Sequence, residues 1–341
     1  MFDKKNIKHY LLGASLILIA SYVGSSFKKY FVESKDEEYD MIKEYLLNES
    51  PLYGYNKTKI WIHSKYEINA RKWLDFQSRN TTHMNLPYVH LTIQSIIEHC
   101  SNDFHICLID DHTFSKLIPG WDININDMAE PMKSYYRDIA MLKILYIYGG
   151  MVVPDSFLCN KSLKELFEKG TTGGHMFLTE GMNNTVSMNE KNRPVFSPQT
   201  YFMGAIKYDP IVELLIECLQ ENSKNTHFSQ DGRFSNNMSI LCNTNINSGK
   251  MNIIDGKLVG IKSVNGSPIL SEDLMEEKFL DLDENIYGIY INRDEILKRT
   301  NLQWFSYLSK EEILNSNLAI AKYIKESMVN NSMNPNSITD F

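Results

Sequence analysis

Short apolar runs alternate along the chain with stretches whose apolar residues return every three or four positions. Lys59–His63 (KIWIH), Phe104–Asp110 (FHICLID) and Met151–Val153 are of the first kind and predict strands. Tyr88–His99 and Ser134–Tyr148 are of the second kind and predict helices. Further on, HMFLTE and TYFMGAI read as strands on either side of a polar loop, Gly181–Arg193, and Ile211–Gln220 carries the apolar stripe of a core-facing helix. This alternation predicts an α/β fold, a Rossmann-type mixed, mainly parallel sheet flanked by helices. Ligands of such sheets bind outside the carboxyl ends of the strands, so the chemistry is sought in residues that follow a strand.

The N-terminus follows a different rule. Tyr10–Phe27 (YLLGASLILIASYVGSSF) contains no charge, with Lys4, Lys5 and Lys8 before it and Lys28 and Lys29 after it. A run of this kind predicts a single-pass membrane anchor near the lower length limit. A cleaved signal peptide is the rival reading, because the apolar stretch Leu11–Val23 is short and Gly24–Ser26 offers small residues. The basic flank beyond the run favours the uncleaved anchor. The expected organisation is an anchor with a basic tail over residues 1–27, a stalk over 28–55 containing the acidic Ser34–Asp40, a globular domain over 56–325, and a C-terminal tail over 326–341.

Composition narrows the functional classes. The chain has 341 residues, 43% hydrophobic and 23% charged, enough for a sizeable core, and its net charge of -7 leaves no basic footprint for nucleic acid. Its five cysteines show no Cys-x-x-Cys spacing and sit mainly in apolar runs, which predicts buried free thiols. There is no Ser/His/Asp arrangement, no phosphate-binding Gly-x-x-x-x-Gly-Lys loop and no His-Glu-x-x-His zinc motif.

The most informative stretch is Ser134–Cys159, SYYRDIAMLKILYIYGGMVVPDSFLC. Ile139, Leu142, Leu145 and Tyr146 mark a helix whose first turn Asp138 is expected to open, where a carboxylate suits the helix dipole. Gly149 and Gly150 end that helix and release the chain into the strand Met151–Val153. Pro154 stops the strand's hydrogen-bond ladder and leaves Asp155 and Ser156 at its carboxyl end.

An Asp, a Gly-Gly pair, a hydrophobic strand and an acidic residue in this order resemble the core motif of the glycosyltransferases of the DXD sugar-binding-region and capsular polysaccharide synthesis type. These belong to the nucleotide-diphospho-sugar (GT-A) superfamily. Lys59–His63 is similar to the family's opening strand, and Thr92–Ile97 with Ile106–Asp111 to its helix, strand and acidic turn. The resemblance implies a GT-A-like fold and a nucleotide-sugar donor lying over the first sheet edge. Asp138 would sit near the nucleotide or sugar, with Asp110 and Asp111 lining the same edge. It also implies transfer to a glycan, lipid or protein acceptor near the membrane.

Family members place Asp-x-Asp after the strand, where hard carboxylate oxygens hold Mn²⁺ or Mg²⁺ against the leaving diphosphate. Here the positions read Pro154-Asp155-Ser156, with one Asp standing between the two replaced carboxylates. Asp155 is the candidate metal ligand, and Pro154 favours a bulge that re-aims it. Arg137 is a candidate phosphate contact and His63 a candidate base or nucleotide contact, while Lys143 or Arg137 would supply positive charge if the metal were lost. The last histidine is His227, so the late His that many family members use is absent. Asp231-Gly232-Arg233 reads as a turn, and Asp281-Leu282-Asp283 as solvated charge. Two readings stay open: a working transferase, or a GT-A-like binding or scaffold protein without turnover.

Overall fold

The computed structural model describes residues 57–64, 86–129, 132–182, 196–225 and 231–332, all within the compact unit Ser50–Phe341. The run at 10–27 expected to anchor the chain in a membrane, the stalk expected over 28–55 and the loop residues 183–195 lie outside the described residues. Among the described residues, no helix is long and apolar enough to cross a membrane.

The centre of the fold is β1 (Thr58–His63), whose Ile60, Trp61 and Ile62 are fully buried. A strand covered on both faces needs a continuous apolar run rather than an alternating one, which is what KIWIH supplies. β1 pairs in parallel with β2 (Phe104–Ile109), Ile60 opposite Ile106, and with β3 (Gly150–Val152), Ile60 opposite Met151. The sheet continues through β6 (Phe196–Ala205) and β5 (Phe177–Met182) to β7 (Asn252–Ile254), in the order β2-β1-β3-β6-β5-β7. β3–β6 and β6–β5 are antiparallel and β5–β7 is parallel, so the mixed, mainly parallel sheet is as expected. A separate two-stranded ladder joins β4 (Phe157–Cys159) to β8 (Gly288–Tyr290).

Helix α1 (Pro87–Cys100) starts with Pro87 in the first turn, where the missing N–H costs nothing. Its buried polar residues fix the chain that follows β3. Thr92 Oγ1 donates to the Asp155 carbonyl at 2.5 Å, and Ser95 Oγ accepts from the Cys159 amide at 2.9 Å. Helix α2 (Met132–Tyr148) buries Ile139, Leu142, Ile144 and Leu145 in the main core. It packs against α3 (Pro210–Asn225), whose Ile211, Val212, Leu215, Ile216 and Leu219 form the expected apolar stripe.

The paired glycines work as expected and more. Gly149 (φ +66°) donates to the Leu145 carbonyl at 2.8 Å and closes α2. Trp61 Nε1 donates to the Gly149 carbonyl at 2.9 Å, and a Cβ on Gly150 (φ +102°) would lie 2.2 Å from the Lys59 carbonyl oxygen. The second glycine is therefore required by the close approach of β3 to β1.

Three expectations need correction. Helix α2 begins at Met132, two residues before the expected start, so Asp138 lies in the second turn and no acidic residue occupies the first. The dipole argument for Asp138 falls with it. Asp231-Gly232-Arg233 opens a helix, α4 (Asp231–Asn247), because Met238, Cys242 and Asn245 recur at helical spacing and bury their side chains. Pro154 opens a tight turn instead of a bulge, the Phe157 amide donating to the Pro154 carbonyl at 3.1 Å. The five cysteines are free, four buried and Cys218 half-buried.

Candidate functional site

The strand order sets where a ligand fits. From β1 the chain crosses through α1 to β2 on one side, then returns through α2 past β1 to β3 on the other. The carboxyl ends of β1 and β3 therefore flank a topological switch point, where an open α/β sheet leaves a crevice. A cleft of about 280 Å³ lies there. It is lined by His63 at the end of β1, Arg137 and Asp138 on α2, and Val153–Ser156 beyond β3. Gln199, Thr200 and Tyr201 of β6, with Tyr290, Arg293 and Asp294, also line it.

Behind His63 and Arg137 is a charged triad. Asp111 accepts from Arg137 twice, Nη2 to Oδ2 at 2.7 Å and Nε to Oδ1 at 3.0 Å, and from His63 Nε2 at 2.9 Å. Burial alone would raise the Asp111 carboxyl, but the hydrogen bonds and positive charge of His63 and Arg137 outweigh it and hold it well below the usual carboxylate range. His63 is further oriented by stacking on Phe114, with ring centroids 5.2 Å apart. The triad thus locks two cleft-lining side chains from behind.

Asp155 is buried and its Oδ2 accepts from Arg293 Nη1 at 2.6 Å. Two structures deliver this pair. The β4–β8 ladder sets Phe157 opposite Tyr290, and the Ile291 amide donates to the Ser156 carbonyl at 3.0 Å. Asn292 then caps α5 (Arg293–Lys298), its side chain accepting from the Glu295 amide at 3.2 Å, which places Arg293 at the first helical position. Tyr201 and Tyr290 stack with centroids 4.3 Å apart and planes at 22°, and Tyr201 Oη donates to the Glu180 carbonyl at 2.8 Å. Burial, reinforced by nearby carboxylates, pushes the Tyr290 phenol up, so it stays neutral.

His63, Arg137, Asp138 and Asp155 are brought together by the fold. Asp111 stands behind them as the brace of Arg137 and His63. Asp110 instead braces its own turn, accepting from the Thr113 amide at 2.9 Å and the Thr113 hydroxyl at 2.5 Å. Lys143 lies over the Trp121 ring, 5.6 Å from its centroid, and is not among the residues lining the cleft. Asp281 and Asp283 bond locally, to Asn265 and to the Asn285 amide. Arg293, Asp294, Tyr201 and Tyr290 are cleft residues that no spacing in the sequence announces.

The donor set does not fit a divalent cation held by the protein alone. Asp155 already carries a guanidinium, and among the described residues no three His, Cys, Asp or Glu side chains are grouped to hold an ion.

No protein-family model matches the chain, and no curated protein matches it. Among solved structures it is similar to the PaToxG glycosyltransferase, at 14% identity and a TM-score of 0.32 over 64% of this chain and 81% of that one. It is also similar to the glycosyltransferase GlyE of Streptococcus pneumoniae TIGR4, at 9% identity and a TM-score of 0.37 over 84% of this chain and 66% of that one. A third is 4-diphosphocytidyl-2C-methyl-D-erythritol synthase from Anaerococcus prevotii DSM 20548, at 10% identity and a TM-score of 0.30 over 62% and 92%.

Proposed function

We propose that this protein is a glycosyltransferase that moves a sugar from a nucleoside-diphosphate donor to a hydroxyl of a glycan, lipid or protein acceptor. One observation carries the reading. Asp138 from α2 and the Asp155–Arg293 pair converge on one cleft at the switch point of the sheet. Carboxylates, amide and hydroxyl side chains and a tyrosine pair in such a cleft suit a polyhydroxylated ring. The two arginines suit the diphosphate attached to it.

In this reading the bond between the anomeric carbon and the diphosphate oxygen breaks, and its electron pair leaves with the nucleoside diphosphate. The acceptor oxygen forms the new bond to the anomeric carbon, and its proton passes to the departing phosphate. The arginines lining the cleft stabilise the charge that develops on the leaving oxygens, and their carboxylate braces keep them from reorganising during the step. Asp138 accepts hydrogen bonds from the sugar hydroxyls and fixes the ring. The uncharged run at 10–27 supports a placement beside a bilayer.

A second reading, a binding or scaffold protein without turnover, is favoured by the replacement of the Asp-x-Asp pattern with Pro154-Asp155-Ser156. The full-length protein, incubated with UDP-sugars and GDP-sugars, decides between them. Release of UDP or GDP that falls by about 100-fold or more in Asp138→Asn is the expected result, since loss of one positioning contact costs on this order. Saturable donor binding with no release would leave the scaffold reading in place.

A further inference from the structure

In a diphosphate site a divalent ion places positive charge between a protein carboxylate and the leaving oxygens. At Asp155 that place is taken. Arg293 Nη1 lies 2.6 Å from Asp155 Oδ2, with side-chain exposures of 12% and 8%, and both residues line the cleft. An ion bound to Asp155 would have to share that carboxylate with a guanidinium that keeps its proton at any biological pH.

The arrangement is built from both sides. The capped start of α5 and the β4–β8 ladder hold Arg293 in register with the turn that carries Asp155, across 138 positions of sequence. Thr92 of α1 holds that turn from below through the Asp155 carbonyl. Arg137, which lines the same cleft, is braced by Asp111 in the same manner, a guanidinium anchored by a carboxylate. Two forked cations facing one cleft match a ligand with several anionic oxygens, and Arg recognises such groups through paired hydrogen bonds where a metal would use coordination.

We propose that Arg293 stands where a metal would in this cleft: Asp155 aims its guanidinium at the diphosphate of the donor, and binding requires no divalent ion. The inference rests on the glycosyl-transfer reading for the ligand. It also accounts for the altered motif, because aiming an arginine needs one carboxylate where chelating a metal needs more. Asp155 is here a positioning residue, and Arg293 a ligand-contacting one.

The test is the binding of UDP and of GDP to the full-length protein by calorimetry, once with EDTA and once with Mn²⁺. It is supplemented by titration of Mn²⁺ alone, followed by electron paramagnetic resonance. The expected result is one dissociation constant in both conditions, within about twofold, and no saturable binding of Mn²⁺ alone. Arg293→Met is expected to weaken binding by about tenfold or more, and Arg293→Lys to restore part of the loss with poorer geometry. Arg293→Met strands a buried carboxylate, so the double variant Arg293→Met with Asp155→Asn is measured beside it and is expected to fold and to bind as weakly. Binding that disappears in EDTA and returns with Mn²⁺ overturns the inference and leaves glycosyl transfer standing. Absence of binding in both conditions overturns glycosyl transfer and this inference with it.

Discussion

Arg137 and Asp111 are joined by two parallel hydrogen bonds, Nη2 to Oδ2 at 2.7 Å and Nε to Oδ1 at 3.0 Å, across 26 positions of sequence. The bond ties the cleft-lining face of α2 to the turn after β2, and His63 adds the end of β1 to the same carboxylate. Three elements of the switch point are thus held by one side chain.

Removing that side chain leaves a buried guanidinium without its counter-charge. Asp111→Ala is expected to destabilise the fold by about 3–5 kcal/mol, and Asp111→Asn by less because the amide oxygen still accepts a hydrogen bond. Urea unfolding of the two variants measures this directly. A loss below about 1 kcal/mol for the alanine variant would place the pair among weak, solvent-screened surface bridges.

The same carboxylate predicts an acid response. The Asp111 carboxyl is held well below the usual range in the folded protein, against about 3.9 for an unperturbed Asp. The folded state therefore gains stability from its ionised form above about pH 4, and loses that gain as the pH falls through the lower folded value. The stability difference between wild type and Asp111→Asn is expected to be full at pH 5 and to shrink steadily below pH 4. A difference that stays constant down to pH 2.5 would show that the carboxyl is not stabilised by its partners.

Two glycines separate backbone strain from steric clash. Gly120 (φ +69°) has nothing within 4 Å of an added Cβ, whereas at Gly150 (φ +102°) the Cβ would meet the Lys59 carbonyl oxygen at 2.2 Å. Gly120→Ala is expected to cost only the strain of the left-handed conformation, about 1–2 kcal/mol. Gly150→Ala adds the displacement of β3 from β1 and is expected to cost about 2–5 kcal/mol in all. Thermal melts of the pair check the order. Equal losses would mean that β3 shifts from β1 at no cost.

How much of the site is legible in the sequence follows from how locally each residue is placed. His63, Arg137, Asp138 and Asp155 sit at strand ends or on the helix between them, and an apolar run followed by Gly-Gly marks those places without reference to distant residues. Asp110 and Asp111 were legible as an acidic turn, but neighbours in a turn point in different directions. Only the fold tells which one reaches Arg137 and which binds Thr113. Arg293, Tyr290 and Tyr201 arrive through the β4–β8 and β5–β6 registers, which join segments far apart in the chain. Strands as short as β4 and β8 show no period that would announce their pairing. The start of α2 is hidden for another reason: the apolar period is clear only from Ile139 onward, whereas the helix begins at Met132, directly after Pro131 in the sequence, and Asp138 is its seventh residue.

Tyr88 offers a test of the packing near the Asp155–Arg293 pair. Its ring is fully buried against Phe305, with centroids 5.1 Å apart, and among the described residues its hydroxyl has no hydrogen-bond partner. Burial pushes the phenol up, and the charges of Arg293 and Asp155 act on it as well, which sets it close to that ion pair. A buried hydroxyl without a partner costs about 1–3 kcal/mol of desolvation, and Phe preserves the packed ring while removing the hydroxyl. Tyr88→Phe is therefore expected to raise stability by about 1 kcal/mol and to leave nucleoside-diphosphate affinity unchanged. Calorimetric melts and the same UDP titration read both quantities. A fall in stability would mean that the hydroxyl bonds to a partner, and a fall in affinity with stability intact would draw Tyr88 into the support of the Asp155–Arg293 pair.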